Sequence, residues 1–281
     1  MSLSPQEIAR LPHVEGVLNY LAPMAEKPYN LAYDPAPGTP RSNGRPEAHT
    51  VPIHDMRPVA GRLDFDHQGI GFVEAPTAQR DFYDDDELRR VYYPECIELV
   101  LAATGGIRGQ VFDHTIRRRV WGGEDRKPGT PRQPVTRVHN DYTVRSGPQR
   151  VRDLMGEEAE ELLQRRFQIV NVWRPIRGPL RDAPLALGDA SSVPFADFVA
   201  SDLVYRDRKG ETYNLRYNPA HRWFYAPEMR QDEAILVKSY DSAGNGVARF
   251  APHSSFEDPT APAEILPRES IEIRMLVFHP G

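Results

Sequence analysis

Proline limits this chain more than any other residue. The sequence holds 27 prolines in 281 residues, spread along its whole length. Each removes a backbone donor and fixes φ, so few can sit inside a long helix or a central strand. That distribution argues against a helical bundle and for short strands joined by loops. Hydrophobic residues make up 40%, with 12 Tyr, 11 Phe and 3 Trp, enough to give such an architecture a real core.

Charge and cysteine usage narrow the function. Lys and Arg number 35 against 40 Asp and Glu, a net charge of −5. No basic block is interleaved with aromatics, so nucleic acid is not expected as a partner. No apolar run reaches the length of a membrane span, and no membrane association is expected. The start, Met-Ser-Leu-Ser-Pro-Gln-Glu, lacks the basic and apolar regions of a secretory signal. Cys96 is the single cysteine, which excludes an internal disulfide and fits a reducing, cytoplasmic setting.

Residues 1–70 read as an irregular arm that wraps the core or covers a site, with simple disorder as the alternative. The turn formers between Pro35 and Gly44 set that expectation. Residues 71–281 carry the regular structure of a single domain. An acidic start, apolar residues at helical spacing (Leu88, Tyr92, Cys96, Leu99) and Gly105-Gly106 predict a helix over 84–103, kinked at Pro94. A second helix is expected over 148–166. Alternating stretches at 111–117, 168–173, 202–206, 211–217, 222–225, 234–240, 248–250 and 270–278 read as strands, with Asp207-Arg-Lys-Gly210 as a hairpin turn. The class is mainly β with flanking helices, a sandwich or jelly roll whose helices cover one sheet.

Within that frame, His139-Asn140-Asp141 stands out. On a strand, residues i and i+2 face the same side, so His139 and Asp141 can aim at one metal while Asn140 points away. A surface loop with an Asx turn explains the same tripeptide, and a third ligand must be found. Of 9 histidines, His13, His49, His54 and His67 fall in the arm, His221 in a turn, His279 at the tail, and His114 before the pair. His253, just after a strand, remains; a turn histidine is its alternative. Two histidines and one carboxylate form the facial set that holds Fe(II) and leaves positions open for oxygen and substrate.

The last strand supplies a second signal. Arg268 and Ser270 point the same way at its start, and an Arg fork with a nearby hydroxyl suits a carboxylate. Ile271, Ile273, Met275 and Val277 take the opposite face and should pack under helices. A hairpin from His253 through the proline-rich link would bring Arg268 to the metal. Arg274 shares its face but stands about 20 Å further along, at roughly 3.3 Å per residue; it is the substitute for Arg268.

These residues resemble the Fe(II)/2-oxoglutarate-dependent oxygenases, and in particular the family that includes aspergillic acid hydroxylase-type, gibberellin desaturase and cephamycin methoxylation proteins. The matching segments are Phe112-Asp-His-Thr-Ile-Arg117, Val138-His-Asn-Asp-Tyr-Thr143, Asn171-Val-Trp-Arg-Pro-Ile176, Pro184-Leu-Ala-Leu-Gly-Asp189, Lys238-Ser-Tyr-Asp-Ser242, Ala251-Pro-His-Ser-Ser-Phe-Glu-Asp-Pro259 and Arg268-Glu-Ser-Ile-Glu-Ile-Arg274. They span roughly residues 75–278.

The resemblance implies a double-stranded β-helix (jelly roll) core over 71–281. It implies Fe(II) held by His139, Asp141 and His253, with 2-oxoglutarate as cosubstrate on Arg268 and Ser270. It further implies consumption of O2, release of succinate and CO2, and hydroxylation, desaturation or ring formation on a small secondary-metabolite-type substrate. Two other functions stay open: a cupin-like metal oxidase without 2-oxoglutarate, and a non-catalytic accessory or binding protein that keeps the fold.

Further residues are candidates for the substrate or cosubstrate. Arg117 and Arg174 could take an acidic group, or simply pair with surrounding carboxylates. Tyr142 could line a pocket. Lys238, on an apolar strand, could face the cavity or reach solvent.

Overall fold

A computed structural model describes residues 3–123, 125 and 131–281. Their strands in chain order are β1 (His13–Leu21), β2 (Tyr29–Leu31), β3 (Pro46–Asp55), β4 (Ile70–Glu74), β5 (Arg108–Arg118), β6 (His139–Asn140) and β7 (Phe167–Pro175). They continue with β8 (Leu185–Gly188), β9 (Phe198–Val204), β10 (Lys209–Leu215), β11 (Trp223–Tyr225), β12 (Glu233–Asp241), β13 (His253–Ser255) and β14 (Glu269–Phe278). Nine form one sheet, in the order β1-β3-β11-β8-β13-β6-β10-β9-β2, and five form the other, in the order β4-β12-β7-β14-β5.

The two sheets face one another as a jelly roll. Trp173 of β7 and Ile235 and Val237 of β12 share one buried cluster with Leu185 and Leu187 of β8 and Phe224 of β11. A second cluster lies on the far face of the smaller sheet. There Ile271, Ile273, Met275 and Val277 pack with Val170 and Val172 against Cys96 and Val100 of the helix Tyr93–Thr104. Each such fully buried side chain contributes roughly 1.5–3 kcal/mol. Strands β7 and β12 are buried along their entire length because both their faces are covered.

The covering helix follows the expected boundaries. Asp84 caps it by accepting the amides of Asp86 and Glu87, and Gly105 ends it at φ 69°. Pro94 has no N–H to give, and the chain answers with a π-helical turn over Leu88–Tyr92, where the Tyr93 N–H donates to the Leu88 carbonyl. The second helix is shorter than expected. It runs Ser146–Met155, breaks at Gly156 with φ 54°, and resumes as Ala159–Leu162.

The irregular arm expected over residues 1–70 is corrected. Strands β1 and β3 pair antiparallel from His13↔His54 to Leu21↔Pro46, and β3 joins β11 in parallel. Strand β1 alternates exposed and buried positions with a period of two. At Gly16 a Cβ would come within 2.5 Å of Ile53 Cδ1 and 2.8 Å of Phe256 Cδ2, so only glycine lets this strand lie so close to the core. Residues 248–250 form no strand.

Candidate metal centre and cosubstrate pocket

Register places two of the three candidate ligands. Strand β6 is flanked by β13 and β10, with His139 directly opposite His253 on one side and Asn214 on the other. The imidazole centroids of His139 and His253 lie 4.5 Å apart. Asp141 follows β6 immediately. One ligand atom from each of His139, Asp141 and His253 falls within 4.8 Å of the other two. Asn140 points away, as expected, and donates to the carbonyls of Tyr142 and Ser239.

Hydrogen bonds orient the donors. His139 Nδ1 lies 2.8 Å from the Arg137 carbonyl, and His253 Nδ1 lies 3.3 Å from the Ala251 carbonyl. Those contacts fix each Nδ1 as the protonated nitrogen and leave Nε2 as a free ligand. Burial, then the neighbouring His253, push the His139 imidazole well below its ordinary pKa, so it stays neutral, the form a metal binds. Asp141 is held on one side only. Its Oδ2 accepts from Asn171 Nδ2 at 2.9 Å and Arg274 Nε at 3.3 Å, while Oδ1 faces His139 Nε2 at 3.5 Å. Burial alone would raise its pKa, but the surrounding charge, Arg274 foremost, outweighs it and keeps the carboxylate ionised. Two imidazoles with free Nε2 atoms and one ionised carboxylate on a cavity wall fit a divalent iron.

The cavity beside these ligands is partly open to solvent and is walled also by Trp173, Leu185 and Ser255. Arg268 lies in its wall, 2% exposed. Its Nε donates to Ser270 Oγ at 3.0 Å, its Nη1 to the Ala183 carbonyl at 2.8 Å, and its guanidinium stacks 4.9 Å from the Trp173 ring centroid. Among the described residues no carboxylate is within ion-pair distance of that guanidinium. Burial, then the nearby Arg117 charge, pull its pKa down to about 9. A buried cation left in that condition is a receptor for an anion.

The expected hairpin between His253 and Arg268 is not made. Strand β13 belongs to the nine-stranded sheet and β14 to the five-stranded one. The two side chains line one cavity instead, because the sheets face each other.

A family model described as an oxidoreductase/YMDC permease-like domain matches residues 18–278. The hydroxylase/desaturase efuI of Hormonema carpetanum is 32% identical, over 95% of this chain and 95% of that one. The Fe(II)/2-oxoglutarate-dependent dioxygenase nvfI of Aspergillus novofumigatus is 31% identical, over 94% of this chain and 96% of its own. The chain belongs to the Fe(II)/2-oxoglutarate-dependent oxygenase family. A solved structure of the iron and alpha-ketoglutarate-dependent endoperoxidase NvfI superposes with a TM-score of 0.85 at 30% identity, covering 96% of this oxygenase and 99% of the other chain. Membership sets aside both the cupin-like oxidase without 2-oxoglutarate and the non-catalytic binding protein. No helix among the described residues is long and apolar enough to cross a membrane.

The remaining candidates separate sharply in this oxygenase. Arg274 lines the same cavity as Arg268 despite the spacing along β14, but its donors are engaged by Asp141, Asp113, Thr115 and Glu272. Arg117 lines the cavity and donates Nη1 to the Gln133 carbonyl at 2.7 Å. Tyr142 is buried, edge-on to Phe112 with Arg150 over its ring.

The suggested cavity positions of two residues are corrected. Arg174 alternates with Trp173 and so faces the covering helix, where it lies over the Tyr92 ring and donates to the Gln231 carbonyl. Lys238 neither faces the cavity nor reaches solvent. Fully buried, it donates to Asp66 at 2.6 Å and Asp241 at 3.0 Å, and Arg166 bridges the same two carboxylates.

Asn171 and Glu272 were missed. Asn171 Nδ2 joins Asp141 to Glu272 Oε1, and Glu272 also receives Arg274. The alternation that sends Ile271 and Ile273 outward places Glu272 inward, and Asn171 shares parity with Trp173; that pattern was the available signal.

Proposed function

We propose that His139, Asp141 and His253 hold the Fe(II), and that Arg268 with Ser270 binds the far carboxylate of 2-oxoglutarate. The reaction is oxidation of a small secondary-metabolite-type substrate by hydroxylation, desaturation or ring formation. The observation that carries this reading is the buried Arg268 guanidinium, without a carboxylate partner among the described residues, in the same cavity wall as the three ligand side chains.

Bound iron and 2-oxoglutarate supply O2 activation and the oxidising equivalents, with succinate and CO2 as products. The chain's own residues do the positioning. Arg137 and Ala251 carbonyls set the imidazole tautomers, and Asn171 with Arg274 turns Asp141 so that Oδ1 is presented. Trp173 gives Arg268 a flat apolar support that holds its fork in plane. We read residues 71–281 as the catalytic unit, with β1 and β3 as an integral extension of its larger sheet.

The test is iron binding and cosubstrate turnover. Protein reconstituted with Fe(II) without air should bind one iron per chain, and His139→Ala should lose it. Oxygen consumption should be matched by succinate. Iron binding that survives His139→Ala, or oxygen uptake without succinate, would refute the assignment.

A further inference from the structure

The Arg268–Ser270 pair does not stand alone. In the register between β14 and β5, Ser270 lies directly opposite Arg117. Directly opposed residues of an antiparallel pair put their side chains on the same face, with Cβ atoms on the order of 5 Å apart. Arg117 therefore projects beside the Ser270 hydroxyl, the same hydroxyl that accepts from Arg268 Nε. Both guanidiniums line the cavity. Each is tied to the protein through one backbone carbonyl, Gln133 for Arg117 and Ala183 for Arg268. Those anchors fix the two forks and leave other N–H groups of each for a ligand.

The nearest acid does not neutralise them. Glu272 is engaged by Asn171 and Arg274. Among the described residues neither Arg117 nor Arg268 has a carboxylate at ion-pair distance. Two like charges held side by side without a counter-ion are costly unless an anion arrives. Burial lowers the Arg117 pKa to about 10 and that of Arg268 to about 9. Both still carry their charge at neutral pH.

We propose that Arg117 is a second arginine of the cosubstrate clamp, so that one carboxylate is gripped by two guanidiniums and the Ser270 hydroxyl. This rests on the assignment of 2-oxoglutarate to Arg268 made above. The consequence is selectivity. A 2-oxo acid with a second carboxylate satisfies both cations, whereas a monocarboxylic 2-oxo acid leaves both unmatched. Arg117 is thus a specificity determinant for a dicarboxylic cosubstrate, and it is not free to bind an acidic group of the substrate.

The experiment is calorimetric titration of the Fe(II) protein without air, using 2-oxoglutarate and 2-oxobutyrate, which lacks the far carboxylate. Arg117→Met, Arg117→Lys and Arg268→Met are compared with the parent, with iron content and melting curve recorded for each. Arg117→Met should weaken 2-oxoglutarate roughly 10- to 100-fold and leave 2-oxobutyrate unchanged, with Arg117→Lys in between because an ammonium cannot reproduce the fork. If Arg117→Met leaves 2-oxoglutarate affinity intact while Arg268→Met weakens it, the second clamp is overturned and the first stands. If Arg268→Met also has no effect, the underlying assignment falls. Equal weakening of both acids by Arg117→Met would assign it a structural role and overturn the proposal.

Discussion

Arg274 reaches the metal-ligand carboxylate: its Nε lies 3.3 Å from Asp141 Oδ2. The same guanidinium joins Asp113 and Glu272, so one cation is shared by three carboxylates. Burial would lower its pKa, but Glu272, Asp141 and Asp113 outweigh that and raise it well above the ordinary value.

Replacing this residue should therefore hurt the metal-free protein most. Arg274→Met leaves Asp141 and Glu272 without their cation, a change that costs about 3 kcal/mol when a buried pair is broken. The melting temperature of the metal-free variant should drop by roughly 6–10 °C. A divalent cation supplies part of the missing charge, so Fe(II) added without air should raise the melting point of the variant more than that of the parent. An equal rise in both would show that Arg274 does not balance Asp141.

Asn171 acts by orientation alone, since it is neutral. Asn171→Ala removes the 2.9 Å donor to Asp141 Oδ2 and should weaken iron binding by about 10-fold, read by competition with a chelator. Asn171→Asp should be worse, because it sets an acceptor against two carboxylates.

The network of Lys238 and Asp241, both buried, with the more exposed Arg166 and Asp66 predicts acid sensitivity. Burial would raise the Asp241 carboxyl, but hydrogen bonds from Arg166 and the Lys238 charge hold it below its ordinary value of 3.8; Asp66 is lowered from 3.8 by the same two cations. A depressed carboxyl adds stability that is present above its unfolded pKa and lost as pH falls through its folded one. Chemical denaturation should therefore show stability falling below about pH 4. Lys238→Met removes one of the two cations and should shrink that acid-dependent loss while lowering stability at pH 7. An unchanged acid limb would mean that the network does not control it.

Cys96 should be inert in the folded protein. It is 1% exposed, and burial pushes its thiol up to about 12, so little thiolate exists at pH 8. Ellman's reagent should find no reactive thiol under native conditions and one per chain in denaturant. Fast labelling of the native protein would contradict this placement.

Period and punctuation made much of this visible beforehand. The alternation in β14 sent Ile271, Ile273, Met275 and Val277 under the helix, and the hairpin turn before Lys209 was set by local residues. The arm was misread because proline and glycine between β2 and β3 masked the alternation of β1, whose partner β3 lies beyond that segment. Lys238 was misjudged because its two carboxylate partners, Asp66 and Asp241, are brought together only by folding.

The sequence by itself determined the donor chemistry: a His-x-Asp pair, one distant histidine, and an Arg-x-Ser start to the last strand. Side-chain type and strand parity are local properties, and they survive without knowledge of the partner strands. Tertiary structure alone decided which arginines carry an unmatched charge. Arg274 and Arg268 alternate on one strand face, yet one is met by Asp141, Asp113 and Glu272 and the other by a serine and a carbonyl. That difference arises from sheet register and from two sheets closing on each other, which no spacing along the chain encodes.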